Sequence, residues 1–288
     1  MSSLLSAERA AFHRQLIESG VLSLDSTDIP SNADGSQRTS VLLARGIMER
    51  IPFEHAAAAR LQGQTSGKQF ESAVTAFLGK TLSLLQPIRP ADWIVENVGG
   101  SRGHYHLSSY VPYRHLDELA LAVKENEALR TVLGNSYNIS PDVLILRSPI
   151  SDSKINEFAR VVDDEVARRT PIRSTNQEHP IVHAVVSCKW TLRSDRAQNA
   201  RSEALGLLRN RKGRAPHISV VTGEPTPSRI ASLALGTGDI DTIYHFALPE
   251  LIDAVNESEN DEAFSMLATL VDGERLRDIA DLPLDLVA

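Results

Sequence analysis

Apolar runs that alternate with helical periodicity constrain this chain most. Asp142 to Leu146, Ile181 to Lys189, Ile218 to Val221 and Ile243 to Phe246 are short runs rich in Val, Ile and Leu, as buried strands require. From the second onward each is followed by helical spacing, over Ala197 to Arg209, Pro227 to Leu235, and Pro249 to Asn256 with Asp261 to Leu270. The alternation predicts an α/β fold in which helices flank a mixed central sheet. Earlier in the chain we read a helix over Ala7 to Ser19 and a Ser/Asp/Gly-rich loop or arm over Ser23 to Ser40. A strong helix follows Thr65-Ser66-Gly67, with Phe70, Val74, Phe77, Leu78, Leu82 and Leu85 on one face and Ser66 capping its first turn. Trp93 to Val95 reads as a strand, and His115 to Leu133 as one helix ending at Gly134. No repeat or long linker divides the chain, so residues 1–288 are expected to form one domain with decorations.

Composition narrows the class. Hydrophobic residues at 42% and charged residues at 23% are those of an ordinary soluble protein. No apolar run approaches the ~20 residues of a membrane span, and the first residues lack the basic and apolar regions of a secretory signal. The single cysteine, Cys188, excludes an intramolecular disulfide and fits a reducing cytoplasm. The net charge of −7 argues against nucleic acid until its distribution is considered. Lys189 to Arg214 carries +6 and the remainder −13. That concentration can form a footprint for phosphates, although a solvated basic helix end would give the same count.

The chemistry concentrates at the end of the second run. Along a strand Ser187 and Lys189 share one face and Cys188 points to the other. If the Asp142 strand lies alongside, the Asp142 carboxylate comes close to the Lys189 ammonium. Glu203 follows Arg196 by two helical turns, so a helix over the strand ends could aim it at the same point. An acid, a lysine and a second acid can hold a divalent cation and a water, the equipment for phosphodiester hydrolysis. A partly buried lysine paired with an acid is the simpler reading of the same residues. Just downstream, Arg193 and Arg196 could each bond guanine O6 and N7, and Asp195 could accept from cytosine N4, predicting a core of G·C pairs. Ser194 or Asp195 could instead serve only as a helix cap.

Between Asp142 and Lys189 lie 46 residues, between Lys189 and Glu203 13, and the pattern runs on from Ser187-Cys188-Lys189 into Arg193-Ser194-Asp195-Arg196. This pattern resembles the PD-(D/E)xK nucleases, and within them the NgoMIV-like type II restriction endonucleases that read a CCGG core. Further matching blocks are Ser31 to Ser36, Gly63 to Gly67, Arg209 to Arg214, Glu224 to Arg229 and Asp281 to Leu286, so the resemblance covers nearly the whole chain. It implies a restriction-endonuclease-like core with Asp142 as main metal ligand, Lys189 as catalytic lysine and Mg²⁺ as cofactor. Most such nucleases carry an acid where this chain has Ser187, and in this subgroup the helix supplies it, here through Glu203. Glu71 matches a further acidic position near the site, and the Cys188 carbonyl a metal ligand. Arg193, Asp195 and Arg196 match the readers of CCGG. Asp34, Ser36 and Arg229 match contacts to an outer base pair, and Gln64 a minor-groove contact. The implied site is GCCGGC, cut after the first G to leave a 5′ CCGG overhang.

A palindrome in double-stranded DNA requires at least a homodimer, and the resemblance suggests a tetramer. The alternatives are a non-cleaving DNA-binding protein on the same fold and a nuclease of repair or junction resolution. Gly63 to Lys68 lacks the spacing of a nucleotide-binding loop, and His104, His106 and His115 lack zinc-site spacing, so neither a nucleotide cofactor nor zinc is expected.

Overall fold

The computed structural model describes residues 2–52, 63–98, 107–133, 139, 141–236 and 238–288, with backbone alone at Gly63, Arg130, Val132, Leu133, Ser194 and Asp195. Its helices are α1 (Leu4–Glu18), α2 (Arg38–Arg50), α3 (Gly63–Leu84), α4 (His115–Glu125), α5 (Glu127–Leu133), α6 (Asp152–Ile155), α7 (Ser194–Asn210), α8 (Pro227–Ala234), α9 (Leu248–Glu257), α10 (Asp261–Asp272) and α11 (Leu282–Val287). Six strands form one sheet in chain order: β1 (Trp93–Asn97), β2 (Val143–Arg147), β3 (Ile181–Lys189), β4 (His217–Thr222), β5 (Thr242–His245) and β6 (Leu276–Asp278). β1 with β2 and β2 with β3 pair antiparallel, and β3 through β6 run parallel, so the sheet is mixed and flanked by helices. Among the described residues no helix is long and apolar enough to cross a membrane.

The all-apolar runs occupy the centre of the sheet for a physical reason. Val182 to Cys188 are all buried, because β3 is covered on both faces and no position can be given to solvent. α3 packs across β1, β2 and β3 with Phe70, Ala73, Val74, Phe77, Leu78 and Leu82, the stripe its periodicity predicts. α1 lies on α3 through Phe12 and Phe77, whose ring centroids are 5.4 Å apart. Arg9 of α1 then reaches Glu250 on α9 and Asp278 on β6, fastening α1 to the far edge of the sheet.

Several expectations need correction. The arm ends earlier than Ser40: residues 23–37 are irregular, and α2 begins at Arg38. Its stripe of Leu43, Ala44, Ile47 and Met48 was visible in the sequence and went unread. Ser66 is not a cap, since α3 already includes Gly63; Ser66 is buried within the helix and its hydroxyl has no hydrogen-bond partner among the described residues. The same helical backbone means that Gly63 to Lys68 is not a loop. The helix from His115 breaks at Asn126, whose side-chain oxygen accepts from the amides of Ala128 and Leu129 and so starts α5 afresh. Gly134, His104 and His106 lie outside the described residues.

Candidate active site

The antiparallel register of β2 and β3 makes the site. Val143 pairs with Val186, so Asp142, one residue before β2, lies beside the last turn of pleat in β3. One carboxylate oxygen gathers three donors there. Asp142 Oδ2 accepts from the Cys188 amide at 2.7 Å, from Lys189 Nζ at 2.9 Å and from Ser187 Oγ at 3.3 Å. Ser187 and Lys189 thus act from one strand face, as alternation requires, and the buried Cys188 thiol points away from them.

α7 carries the second acid to this point. Its inner face is Ala197, Ala200, Ala204 and Leu207, all buried. Glu203 Oε2 lies 3.3 Å from Ser187 Oγ and 4.0 Å from Lys189 Nζ. The third acid comes from α3, where Phe70 packs on Trp190, one residue past Lys189, with ring centroids 5.0 Å apart. That contact delivers the neighbouring Glu71, whose Oε2 is buried without a hydrogen-bond partner among the described residues.

Electrostatics tie the three acids to one lysine. Burial and the nearby Asp142 carboxylate push the Glu71 carboxyl up to about 7. Burial also raises Glu203, against the pull of Lys189. Burial pulls the Lys189 ammonium down, but Asp142 and Glu203 outweigh it and hold the group above its ordinary value. Burial first, then Asp142, keeps the Cys188 thiol protonated, so it is no nucleophile here. Among the described residues no three His, Cys, Asp or Glu side chains stand in coordinating positions, and the Lys189 ammonium is the cation bonded to Asp142. The donor set nonetheless suits a hard divalent cation. Three carboxyls surround one ammonium, and Glu71 Oε2 is an acceptor in need of a partner.

Beside this cluster lies a pocket of about 320 Å³ whose lining includes Asp34, Ser66, Trp190, Arg193, Arg196 and Arg229. Arg193 is exposed at the N-cap position of α7 and makes no capping bond. Ser194 and Asp195 fall inside the first turn, which corrects their reading as caps; their side chains lie outside the described residues. Arg196 donates to Thr191 Oγ1 at 2.7 Å. Asp34 and Ser36 meet Arg229 across the pocket rim: Arg229 donates to Asp34 Oδ2, while Ser36 Oγ donates to Asp34 Oδ1 at 2.7 Å. These bonds, that from Ser36 foremost, hold the Asp34 carboxyl far below its usual range. Gln64 is exposed on the first turn of α3, two residues before Ser66.

The +6 segment is not one footprint. Lys189, Arg193 and Arg196 lie at the site, whereas Lys212 and Arg214 follow the other end of α7, a helix of 17 residues and so ~25 Å long. There they line a separate pocket with Arg147 and Arg169. Sequence reasoning missed Thr191, which steadies Arg196. It also gave no role to Glu224, a fully buried acid between the loops that carry Arg193 and Arg229. Glu224 offered a signal, a charged residue after an apolar run and just before two prolines, but not its partners.

Comparison with known proteins now bears on this geometry. Residues 12–288 match the family described as NgoMIV restriction enzyme. The type II restriction enzyme NgoMIV of Neisseria gonorrhoeae is 47% identical over 286 residues, covering 99% of each chain. Similarity of that extent, over an arrangement of acids, lysine and arginines suited to cutting and reading DNA, shows that the chain belongs to the NgoMIV restriction enzyme family, a family of site-specific deoxyribonucleases.

Proposed function

We propose that this chain is a type II restriction endonuclease that hydrolyses double-stranded DNA within GCCGGC, after the first G of each strand, using Mg²⁺. The observation that carries the reading is the meeting of Lys189, Glu203 and Glu71 around Asp142, next to the pocket lined by Arg193 and Arg196. Asp142, Glu203 and the Cys188 carbonyl are the groups to hold the cation. When bound, the cation neutralises charge on the scissile phosphate and makes a coordinated water more acidic.

The chain's own side chains do the rest. Lys189 Nζ, fixed on Asp142, can donate to the attacking water or to a phosphate oxygen as negative charge develops. Ser187 Oγ lies within reach of both carboxylates and keeps them apart at a defined spacing. Glu71, with a carboxyl that titrates near neutrality and an unpartnered Oε2, can take the proton that the water gives up. Arg193, Arg196 and Asp195 read the inner CCGG. Asp34, Ser36 and Arg229 read the outer pair as a unit already bonded together, and Gln64 touches the minor groove. Residues 1–288 work as one domain whose arm, 23–37, lies on the DNA. A palindrome needs two copies, and we place the working form at a dimer or a dimer of dimers.

Digestion of a plasmid bearing GCCGGC, with Mg²⁺ or with EDTA, beside a plasmid lacking the site, tests the reading. Site-dependent and Mg²⁺-dependent fragments with CCGG overhangs are expected. Fragments mapping to another CCGG palindrome overturn the outer-pair residues alone. Specific binding without nicking favours the non-cleaving reader instead.

A further inference from the structure

Glu224 is 0% exposed, yet it carries a carboxyl group into the protein between the two loops that hold the arginines of the reading pocket. Its two oxygens serve different segments. Oε2 accepts from the amide of Leu192 at 2.8 Å, the residue just before Arg193. Oε1 accepts from the amide of Thr226 at 3.2 Å, the residue that opens α8, three positions before Arg229. Arg229 Nη1 itself stands 3.8 Å from Oε2. Burial raises the Glu224 carboxyl, while the two amides and Arg229 favour its charged form.

The main chain around Glu224 is fastened as well. Its amide donates to Thr222 Oγ1 at 3.1 Å, and its carbonyl accepts from His245 Nε2 at 3.2 Å. The Ala247 amide donates to His245 Nδ1, which leaves the ring proton on Nε2 for that bond. Next door, the Gly223 carbonyl accepts from Asn32 Nδ2 at 2.8 Å, so the arm that holds Asp34 and Ser36 hangs on the same segment. A buried acid is costly wherever an apolar group would fill the space, so an acid at this point calls for a reason in geometry. The reason visible here is that one rigid group spaces the Leu192 amide from the Thr226 amide, and with them Arg193 from Arg229.

We infer that Glu224 is a positioning residue that couples the reading of the inner and outer base pairs. This rests on the assignment of Arg193 and Arg229 to those pairs. The two accepted bonds make the conservative substitution informative. In Glu224→Gln the amide keeps one oxygen for the shorter bond, to Leu192, and turns its NH₂ toward the Thr226 N–H, where two donors oppose each other. The loop before Arg193 stays in place, and the start of α8 loosens with Arg229 on it.

The test compares kcat/KM of wild type and E224Q with Mg²⁺ on three duplexes: the site that wild type cuts, that site with its outer pair exchanged symmetrically, and that site with an inner pair exchanged. Discrimination at the outer pair should fall about tenfold or more, because a good bidentate contact gives up that much when misplaced. Inner-pair discrimination should stay within about twofold, with the loss on the cut site appearing in KM more than in kcat. Equal loss at both pairs, or no loss at either, overturns the inference, since a merely structural acid predicts one or the other. Should E224Q fail to fold, Thr226→Pro removes the N–H that Oε1 accepts, together with the Thr226 side chain and with φ drawn from −97° toward about −65°, and must give the same selective loss. Wild type that cuts CCGG sites without outer-pair preference removes the reading of Arg229 and this inference with it. Outer-pair preference kept in both variants removes the inference alone.

Discussion

Replacing Lys189 with methionine tests the electrostatic account of the site most directly, because the side chain stays unbranched and apolar in its stem while the ammonium, with its charge and its N–H donors, is removed. The ammonium is 14% exposed, 2.9 Å from Asp142 Oδ2 and 4.0 Å from Glu203 Oε2. One charge pair at the longer distance is worth about 4 kcal/mol at an effective dielectric of ~20, before the cost of desolvating the ammonium. Removing one member of a buried pair typically costs ~3–5 kcal/mol, because the other is left uncompensated. In Lys189→Met the uncompensated groups are carboxyls, two of which already titrate high. A carboxyl whose folded pKa exceeds its unfolded value stabilises fully below the unfolded value and loses that contribution as pH rises through the folded one. The defect should therefore be largest above about pH 8 and shrink to less than half near pH 5, where the acids take up protons. Thermal unfolding in EDTA reads this as a fall of roughly 6–20 °C at the higher pH, at ~2–4 °C per kcal/mol. Cleavage should drop at least ~10²-fold with specific binding in EDTA retained. An equal melting shift at both pH values, or a variant that still cuts, would refute the reasoning.

Glu71→Gln should act in the opposite sense on stability. With its folded value near 7 and its ordinary value at 4.5, Glu71 costs the metal-free protein about 3 kcal/mol once pH exceeds 7. Urea unfolding of the glutamine variant should show that gain above neutrality, about a quarter of it near pH 5 and almost none below pH 4. Arg193→Ala and Arg196→Ala should each lose ~1–3 kcal/mol of binding per half-site and relax selectivity at one base pair, measured by competition with singly substituted duplexes. Gly223→Ala places a methyl 2.4 Å from Trp190 Cε3 and 2.9 Å from the Trp190 carbonyl oxygen. Backbone cannot give way there, so chemical denaturation should show at least ~1–3 kcal/mol of lost stability, and an unchanged midpoint would contradict the packing.

What the sequence determined by itself is whatever has a local period or a local chemical signature. Continuous apolar runs marked β2 to β5 because a strand covered on both faces leaves no polar position. Helical stripes marked α1, α3 and α7 to α10 within a few residues of their observed ends. Alternation along β3 put Ser187 and Lys189 on one face, and two helical turns put Arg196 and Glu203 on one helix, before any contact was known. Even the missed α2 was written locally, but its stripe adjoins a run of turn-forming residues that drew the boundary too far. Local signals failed where a side chain had two possible partners. Asn126 chose the amides of Ala128 and Leu129 over a continuous helix, and Ser66 chose a buried turn over a cap.

Tertiary structure decided everything that depends on which distant segments become neighbours. Asp142 meets Lys189 because β2 runs antiparallel to β3 with Val143 opposite Val186, and spacing along the chain does not contain that register. Glu71 arrives from α3 through the contact of Phe70 with Trp190, and its raised carboxyl exists only once Asp142 is beside it. The basic segment, one cluster in sequence, is divided because a helix carries its two ends apart. Glu224 shows the same division at its sharpest. A lone acid beside two prolines has no local meaning, and it acquires one when the loop at Leu192 and the start of α8 both turn their amides to it. Hydrogen bonds and charge interactions act over a few ångströms of space, whereas the sequence orders residues only along the backbone.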